Sequence, residues 1–258
     1  MRILLIGDVI GKPGRRAVRT LVPGLRQEMG IDLVIANGEN TAGGFGITPG
    51  TAQELLDSDV DVITSGNHIW KQKEIVPYIE EEWPLIRPAN YPEGAPGRGH
   101  IRIGDTLVLN LMGRVFMNTL DCPFRTADRL LKEQAGGPNA PRAVIVDFHG
   151  EATSEKQAMG WYLDGRVSAV VGTHTHVPTA DARILPNGTA FVTDLGMAGP
   201  RDSVIGCEPE GVLRGFLTQM PRKLTVATGP VVLNSVLIDV DEERGVATGI
   251  QRVDRSLA

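Results

Sequence analysis

Asp8, Glu39, Asn40, Asn67, His68, His149, His174 and His176 combine carboxylate, amide and imidazole groups, the mixed donor set that hard and borderline metal ions accept. Each stands just beyond a short apolar run: Asp8 after RILLIG, Glu39 and Asn40 after DLVIANG, Asn67 and His68 after VDVITSG, His149 after AVIVDF, His174 and His176 after VSAVVGT. In α/β sheets the carboxyl ends of parallel strands converge on one edge, so residues scattered along the chain would meet there. Eight candidates exceed what one ion takes from protein while keeping an open position, which points to two ions sharing a carboxylate. His174 and His176 are two apart; in extended backbone they project to one side and can serve adjacent ions.

Singly, each has an ordinary explanation: Asp8 as a helix N-cap, Glu39 and Asn40 as loop polars, Asn67 as a turn residue, His149 as a hydrogen-bonded core or rim histidine. The recurrence carries the argument, since four of the five histidines stand at strand ends. His100 alone falls outside the pattern and reads as a surface strand residue. Rival chemistries find less support. GDVIGKP is shorter than a phosphate-binding loop and has Pro13 where a magnesium-binding hydroxyl would stand; there is no GxSxG; Cys122 has no nearby histidine in sequence and reads as an unreactive thiol. An amidohydrolase barrel would need eight βα units, which are not visible.

The elements that must position this set are short β-branched strands alternating with helices. Arg2 to Ile6, Asp32 to Ala36 and Val60 to Thr64 read as the first three strands, with a helix within Gly14 to Glu28 that Pro23 should kink or end. His100 to Ile103 and Thr106 to Leu111 flank Gly104-Asp105 as a hairpin. Ala143 to Phe148, a helix over Ser154 to Leu163, and Val167 to Val171 repeat the βαβ pattern. Arg183 to Leu185 with Thr189 to Thr193, and Val231 to Val240 with Val246 to Arg252, read as two further hairpins. Asn90 to Gly99, rich in Pro and Gly, reads as a surface loop or insertion. The expectation is an α/β fold with mixed sheets, in one domain spanning residues 1 to 258.

Composition narrows the function class. The chain has 258 residues, 41% hydrophobic and 22% charged, as globular proteins do, and a formal charge of -5 that offers no overall field for a long nucleic acid. Two cysteines without CxxC spacing support neither a disulfide framework nor a zinc finger. The N-terminal apolar run is too short and too polar for a signal peptide or a membrane span, and no later run reaches the roughly 18 apolar residues of a spanning helix, so the reading is a cytoplasmic protein that does not enter membranes. The β-rich, apolar C-terminal segment is compatible with a homo-oligomer.

The order Asp8, Gly38-Glu39-Asn40, Gly66-Asn67-His68, His149 and His174-Thr175-His176 resembles the calcineurin-like metallophosphoesterases. The strings GDVIGKPGR, ANGENTAGGFGIT, TSGNHIW, DFHGEATSEK and GTHTHVPTAD resemble its YmdB-like branch, bacterial cyclic-nucleotide phosphodiesterases, over most of the chain. The resemblance implies that superfamily's α/β sandwich, with mixed sheets flanked by helices. It also implies one metal held by Asp8, Glu39, Asn40 and His176, and a second held by Glu39, Asn67, His149 and His174, with Glu39 bridging. Iron is the expected metal, with manganese or zinc as alternatives. His68, left unligated, suits a general acid, because an imidazole exchanges protons near neutral pH.

The implied reaction is attack of metal-bound hydroxide on a small phosphodiester such as 2′,3′-cAMP. Alternatives are a metal-dependent phosphomonoesterase or nucleotidase, and a regulatory protein that senses a nucleotide without turning it over. Three features depart from the superfamily pattern. Ile10 stands where the histidine of the first motif would be, Glu39 represents the bridging Asp of the second, and Ile69-Trp70 follow Gly-Asn-His where an acid is usual, which leaves open what orients His68. Phe45 in the TAGGFGITPG loop, and Trp70, are available to stack on a base or are simply loop and core residues.

Overall fold

The protein is described by a computed structural model covering residues 1–81, 83–135 and 140–258. Two mixed sheets face one another. The first, of five strands, runs Val246–Arg252, Ser235–Asp241, Arg2–Ile6, Leu33–Asn37, Val62–Thr64, with the last three parallel. The second, of six, runs His100–Ile103, Thr106–Met112, Ala143–His149, Ala169–Thr173, Ala190–Val192, Arg183–Ile184, with a parallel block from Thr106–Met112 through Ala190–Val192. A third sheet joins Arg255–Leu257, Val231–Leu233, Met197–Pro200 and Asp8–Val9.

The continuous apolar strands follow from burial on both faces. Ile3, Leu5, Leu33 and Ile35 pack between the sheets against Val108, Ile145, Val171 and Val192. The alternate residues Leu4, Ile6, Val34 and Ala36 meet Ala17, Val18, Val22 and Leu25 of the helix Gly11–Met29, with Ala52 and Leu55 of the helix Pro49–Leu56. On the far side Leu109, Leu111, Val146 and Phe148 meet Leu130 and Met159, from the helices Pro123–Gln134 and Thr153–Leu163. The layers are helix, sheet, sheet, helix: an α/β sandwich.

Most expected elements form within a residue or two of their expected bounds. The first helix departs from expectation: it starts at Gly11 rather than Gly14 and continues through Pro23 to Gly30, whose φ of 60° ends it. Pro23 costs a backbone hydrogen bond, but burial of Val22 and Leu25 on either side offsets it. The expected single strand Val231 to Val240 is two strands in different sheets. Asn234 makes the break, accepting from Met197 N at 3.2 Å through its side chain and from Gly7 N at 3.1 Å through its carbonyl. Asn90–Gly99 carries no regular element, yet it is anchored: Arg87 donates to the Pro96 and Ala95 carbonyls and Asn90 is buried.

Candidate active site

The two sheets deliver their strand ends to one point. Asn37, the last residue of Leu33–Asn37, donates to Asp147 Oδ2 at 3.2 Å in the strand Ala143–His149, tying the first sheet to the second directly beneath the polar cluster. Asp8, Glu39, Asn40 and His149 are buried there, and His68, His174 and His176 rim a cleft of about 490 Å³. Asp8 caps no helix; the N-cap of Gly11–Met29 is Ile10, with no side-chain bond.

A buried carboxylate needs partners for each oxygen. Asp8 Oδ2 accepts His174 N at 3.0 Å, whereas Oδ1 has no hydrogen-bond partner. That oxygen faces His176 Nε2 at 3.6 Å and lies 4.0 Å from His149 Nδ1. An orphaned carboxylate oxygen at an imidazole nitrogen is an environment that a cation completes. A second convergence centres on His149 Nε2, which lies 3.2 Å from Glu39 Oε1, 3.0 Å from Asn67 Oδ1 and 3.1 Å from His174 Nδ1. Glu39, His149 and His174 each offer one ligand atom, all within 4.8 Å of one another, so the residues present fit a metal.

The ring nitrogens on the outer side fix the tautomers. His176 Nδ1 donates to the Ile205 carbonyl at 2.8 Å, which turns its Nε2 toward Asp8. His149 Nδ1 lies 2.9 Å from Thr173 Oγ1, whose hydroxyl donates to Asp147 Oδ1 at 2.7 Å; Thr173 therefore accepts from Nδ1–H and the lone pair is on Nε2. His174 Nε2 lies 3.1 Å from Glu151, leaving Nδ1 for the cluster. Oriented imidazoles of this kind characterise metal ligands.

Charge is distributed accordingly. Burial opposes ionisation of Asp8 and Glu39, but His176 beside Asp8 and His149 beside Glu39 hold both carboxyls below the usual range, Glu39 well below. Burial, reinforced by the nearby His149, pushes His174 down to about 4. Burial disfavours charge on His176 too, yet the Asp8 carboxylate overcomes it and raises the pKa to about 9. Burial raises Asp147 to about 6 despite its hydrogen bonds from Thr64 and Thr173.

His68 has its own supports. Its backbone N donates to Glu39 Oε2 at 3.1 Å, and its Nδ1 lies 2.9 Å from Asn40 Oδ1 and 3.3 Å from Glu39 Oε1. Asn40 and Glu39 thus orient His68, taking the place of the acid missing after Gly-Asn-His. Asn40 Nδ2 lies 3.2 Å from both Glu39 Oε1 and His176 Nε2. Phe45 meets the His68 ring edge-on, with centroids 5.1 Å apart, and with Val212, Phe216, Leu224 and Val226 forms the apolar side of the cleft. Trp70 points elsewhere and packs edge-on against Tyr91.

The model of the YmdB-like protein family matches residues 4–253. The chain belongs to this family. It is 48% identical, over 98% of its own length and 96% of the relative's, to the 2′,3′-cyclic-nucleotide 2′-phosphodiesterase of Bacillus subtilis. Among solved structures, a hypothetical protein from Thermus thermophilus superposes with a TM-score of 0.92 at 45% identity, covering 99% of both chains. A phosphatase from Mycoplasma pneumoniae gives 0.92 at 33% identity, covering 99% of this chain and 93% of that one.

In this YmdB-like protein the candidates rest on several further residues that sequence reasoning did not single out. Asp147, Thr173, Thr64 and Asn37 form a buried network under His149. Lys156 and Asp194 form a buried pair whose carboxylate also accepts the amide and hydroxyl of Thr175. The polar residues Asp147 and Asp194, each inside an apolar stretch, were the available clue to both. Gly66 lies against the cluster: a Cβ there would overlap His149 Nε2 and Glu39 Oε2. No helix among the described residues is long and apolar enough to cross a membrane.

Proposed function

We propose that this protein hydrolyses small phosphodiesters, 2′,3′-cyclic nucleotides foremost, at a centre of two metal ions, with residues 1–258 acting as one cytoplasmic domain able to self-associate. The single observation that carries the reading is the unpartnered Asp8 Oδ1 beside His176 Nε2, next to a separate Glu39–His149–His174 convergence. Two separate groupings of ligand atoms, Asp8 with His176 and Glu39 with His149 and His174, support two ions rather than one. The 2′,3′-cyclic-nucleotide 2′-phosphodiesterase activity of the Bacillus subtilis relative supports the substrate class.

Asp8, Glu39, Asn40 and His176 would hold one ion, and Glu39, Asn67, His149 and His174 the other; iron suits the mixed nitrogen and oxygen set, as do manganese and zinc. Bound there, the ions would supply Lewis-acid polarisation of the phosphoryl oxygens and offset charge in the transition state. The chain's own residues do the rest. The Asp147–Thr173 relay and Glu151 keep the histidine lone pairs aimed inward. Phe45 and the apolar side of the cleft exclude water and receive the nucleoside. His68, held at Nδ1 by Asn40 and Glu39, gives a proton from its ring to the departing sugar oxygen.

The test is a substrate panel: 2′,3′-cAMP, bis-p-nitrophenyl phosphate and p-nitrophenyl phosphate with wild type and His68→Ala. The proposal expects the two diesters to be hydrolysed well above the monoester, and His68→Ala to keep its metal while losing about 10²-fold or more in kcat. Monoester turnover exceeding diester turnover would make the protein a phosphomonoesterase. Tight nucleotide binding with no turnover of any substrate would make it a sensor.

A further inference from the structure

A second cleft, of about 510 Å³, adjoins the first: Gly43, Leu224 and Val226 line both. The partition is thin. Gly43 has φ of 64° and no atom within 4 Å of where a Cβ would stand, and at Gly44 a Cβ would meet only the Val226 side chain. Lys12 and Arg16 enter the second cleft from one side, four residues apart on one face of the helix Gly11–Met29, and Lys223 enters from the other. None of the three pairs with an Asp or Glu side chain among the described residues, and the helix has no acidic residue in its first turn. Arg16 spends one N–H on an oxygen of the terminal Ala258, at 3.3 Å, and keeps its other donors. In a chain of net charge -5, three cations around one groove against the single carboxylate of Glu208, whose Oε1 accepts the Thr228 amide of the lining at 3.2 Å, leave the groove with a positive excess.

We infer that this cleft binds a backbone phosphate of a short oligoribonucleotide whose 2′,3′-cyclic-phosphate end lies at the metal cluster. The site then acts on fragments of RNA and not only on mononucleotides. The inference rests on the phosphodiesterase reading. Continuity of the clefts matches a substrate whose phosphates recur at each nucleotide, and the shared apolar partition of Leu224 and Val226 lies where a base would pass. Exposed Lys and Arg beside a groove track a phosphate backbone without reading sequence, so the preference is for chain length rather than base identity.

The experiment compares kcat/KM for 2′,3′-cAMP and for the dinucleotide ApA ending in a 2′,3′-cyclic phosphate, in wild type and in the triple variant Lys12→Ala, Arg16→Ala, Lys223→Ala, with a thermal melt to verify folding. The expected result is a preference of about tenfold for the dinucleotide in wild type, expressed in KM and weakened by salt, that collapses toward parity in the variant. Equal efficiencies in wild type, or a preference that survives the triple substitution, would overturn the inference. Should neither substrate be hydrolysed, the phosphodiesterase reading has failed, and the cleft is judged by anisotropy of a fluorescein-labelled trinucleotide. Binding weakened about fivefold or more in the variant supports the cleft; unchanged binding overturns it.

Discussion

Lys156 Nζ donates to Asp194 Oδ2 at 2.6 Å with both side chains buried, and the same oxygen accepts the amide of Thr175 at 3.2 Å and its hydroxyl at 2.7 Å. Thr175 separates His174 from His176, both of which hold positive φ angles, 99° and 64°. Such backbone persists only when its surroundings over-determine it. The ion pair therefore anchors the histidine loop from beneath.

Removing the cation should expose that dependence. Lys156→Met leaves Asp194 as a buried carboxylate without its countercharge, and such a loss costs about 3–5 kcal/mol. The expected outcome is a lowered Tm together with reduced metal retention. Unaltered stability and metal content would show that the pair does not hold the loop.

Gly66→Ala tests packing rather than charge. The added methyl would overlap His149 Nε2 and Glu39 Oε2, so both must move. The cost falls on the cluster and not on the core around it. The prediction is a folded protein, by circular dichroism, that binds metal at least about tenfold more weakly and has lost its turnover, since small displacements of ligands are costly. Normal metal affinity in this variant would mean that neither His149 nor Glu39 is a ligand.

The metal-free protein should show a definite pH signature. Asp8 raises His176 to about 9, so over roughly pH 7 to 9 its imidazole carries a proton that a metal must displace. Affinity should then rise with pH, by about tenfold per unit for each proton released. Stability without metal runs the opposite way: a raised histidine pKa contributes stability that is complete below about 6.5 and is lost as pH rises through about 9. Calorimetric metal titrations in buffers of different ionisation enthalpy, with melts over the same range, check both signs; affinity independent of pH would remove Asp8–His176 from the metal site.

Much of this site was legible because the chemistry sits at strand ends. The runs RILLIG, DLVIANG, AVIVDF and VSAVVGT fixed where the strands stop, and an α/β sheet does the gathering of Asp8, Glu39, His149, His174 and His176. Supports from inside the elements were not legible in the same way. Asp147 lies within a strand and Lys156 within a helix, and periodicity alone cannot say that a buried carboxylate or ammonium meets its partner across the fold. Four further α-helices have no apolar periodicity that sequence reasoning used, although each carries a start signal. Pro49, Pro77, Pro123 and Pro209 occupy first-turn positions, where a proline loses nothing because its missing N–H would have no helical acceptor. Pro23 misled in the other direction, because the buried residues around it, not the local propensity, decide that the helix continues. The division of Val231–Val240 depends on Asn234 bonding to Gly7 and Met197, contacts more than thirty residues away in sequence.

The central claim is that the orphaned Asp8 oxygen marks one of two metal positions. Metal analysis of protein purified without chelator, paired with hydrolysis of 2′,3′-cAMP by wild type and Asp8→Ala, tests it most directly. The account predicts about two ions per chain in wild type, fewer in the variant, and turnover that disappears with the lost ion. Full metal content and undiminished turnover in Asp8→Ala would contradict it.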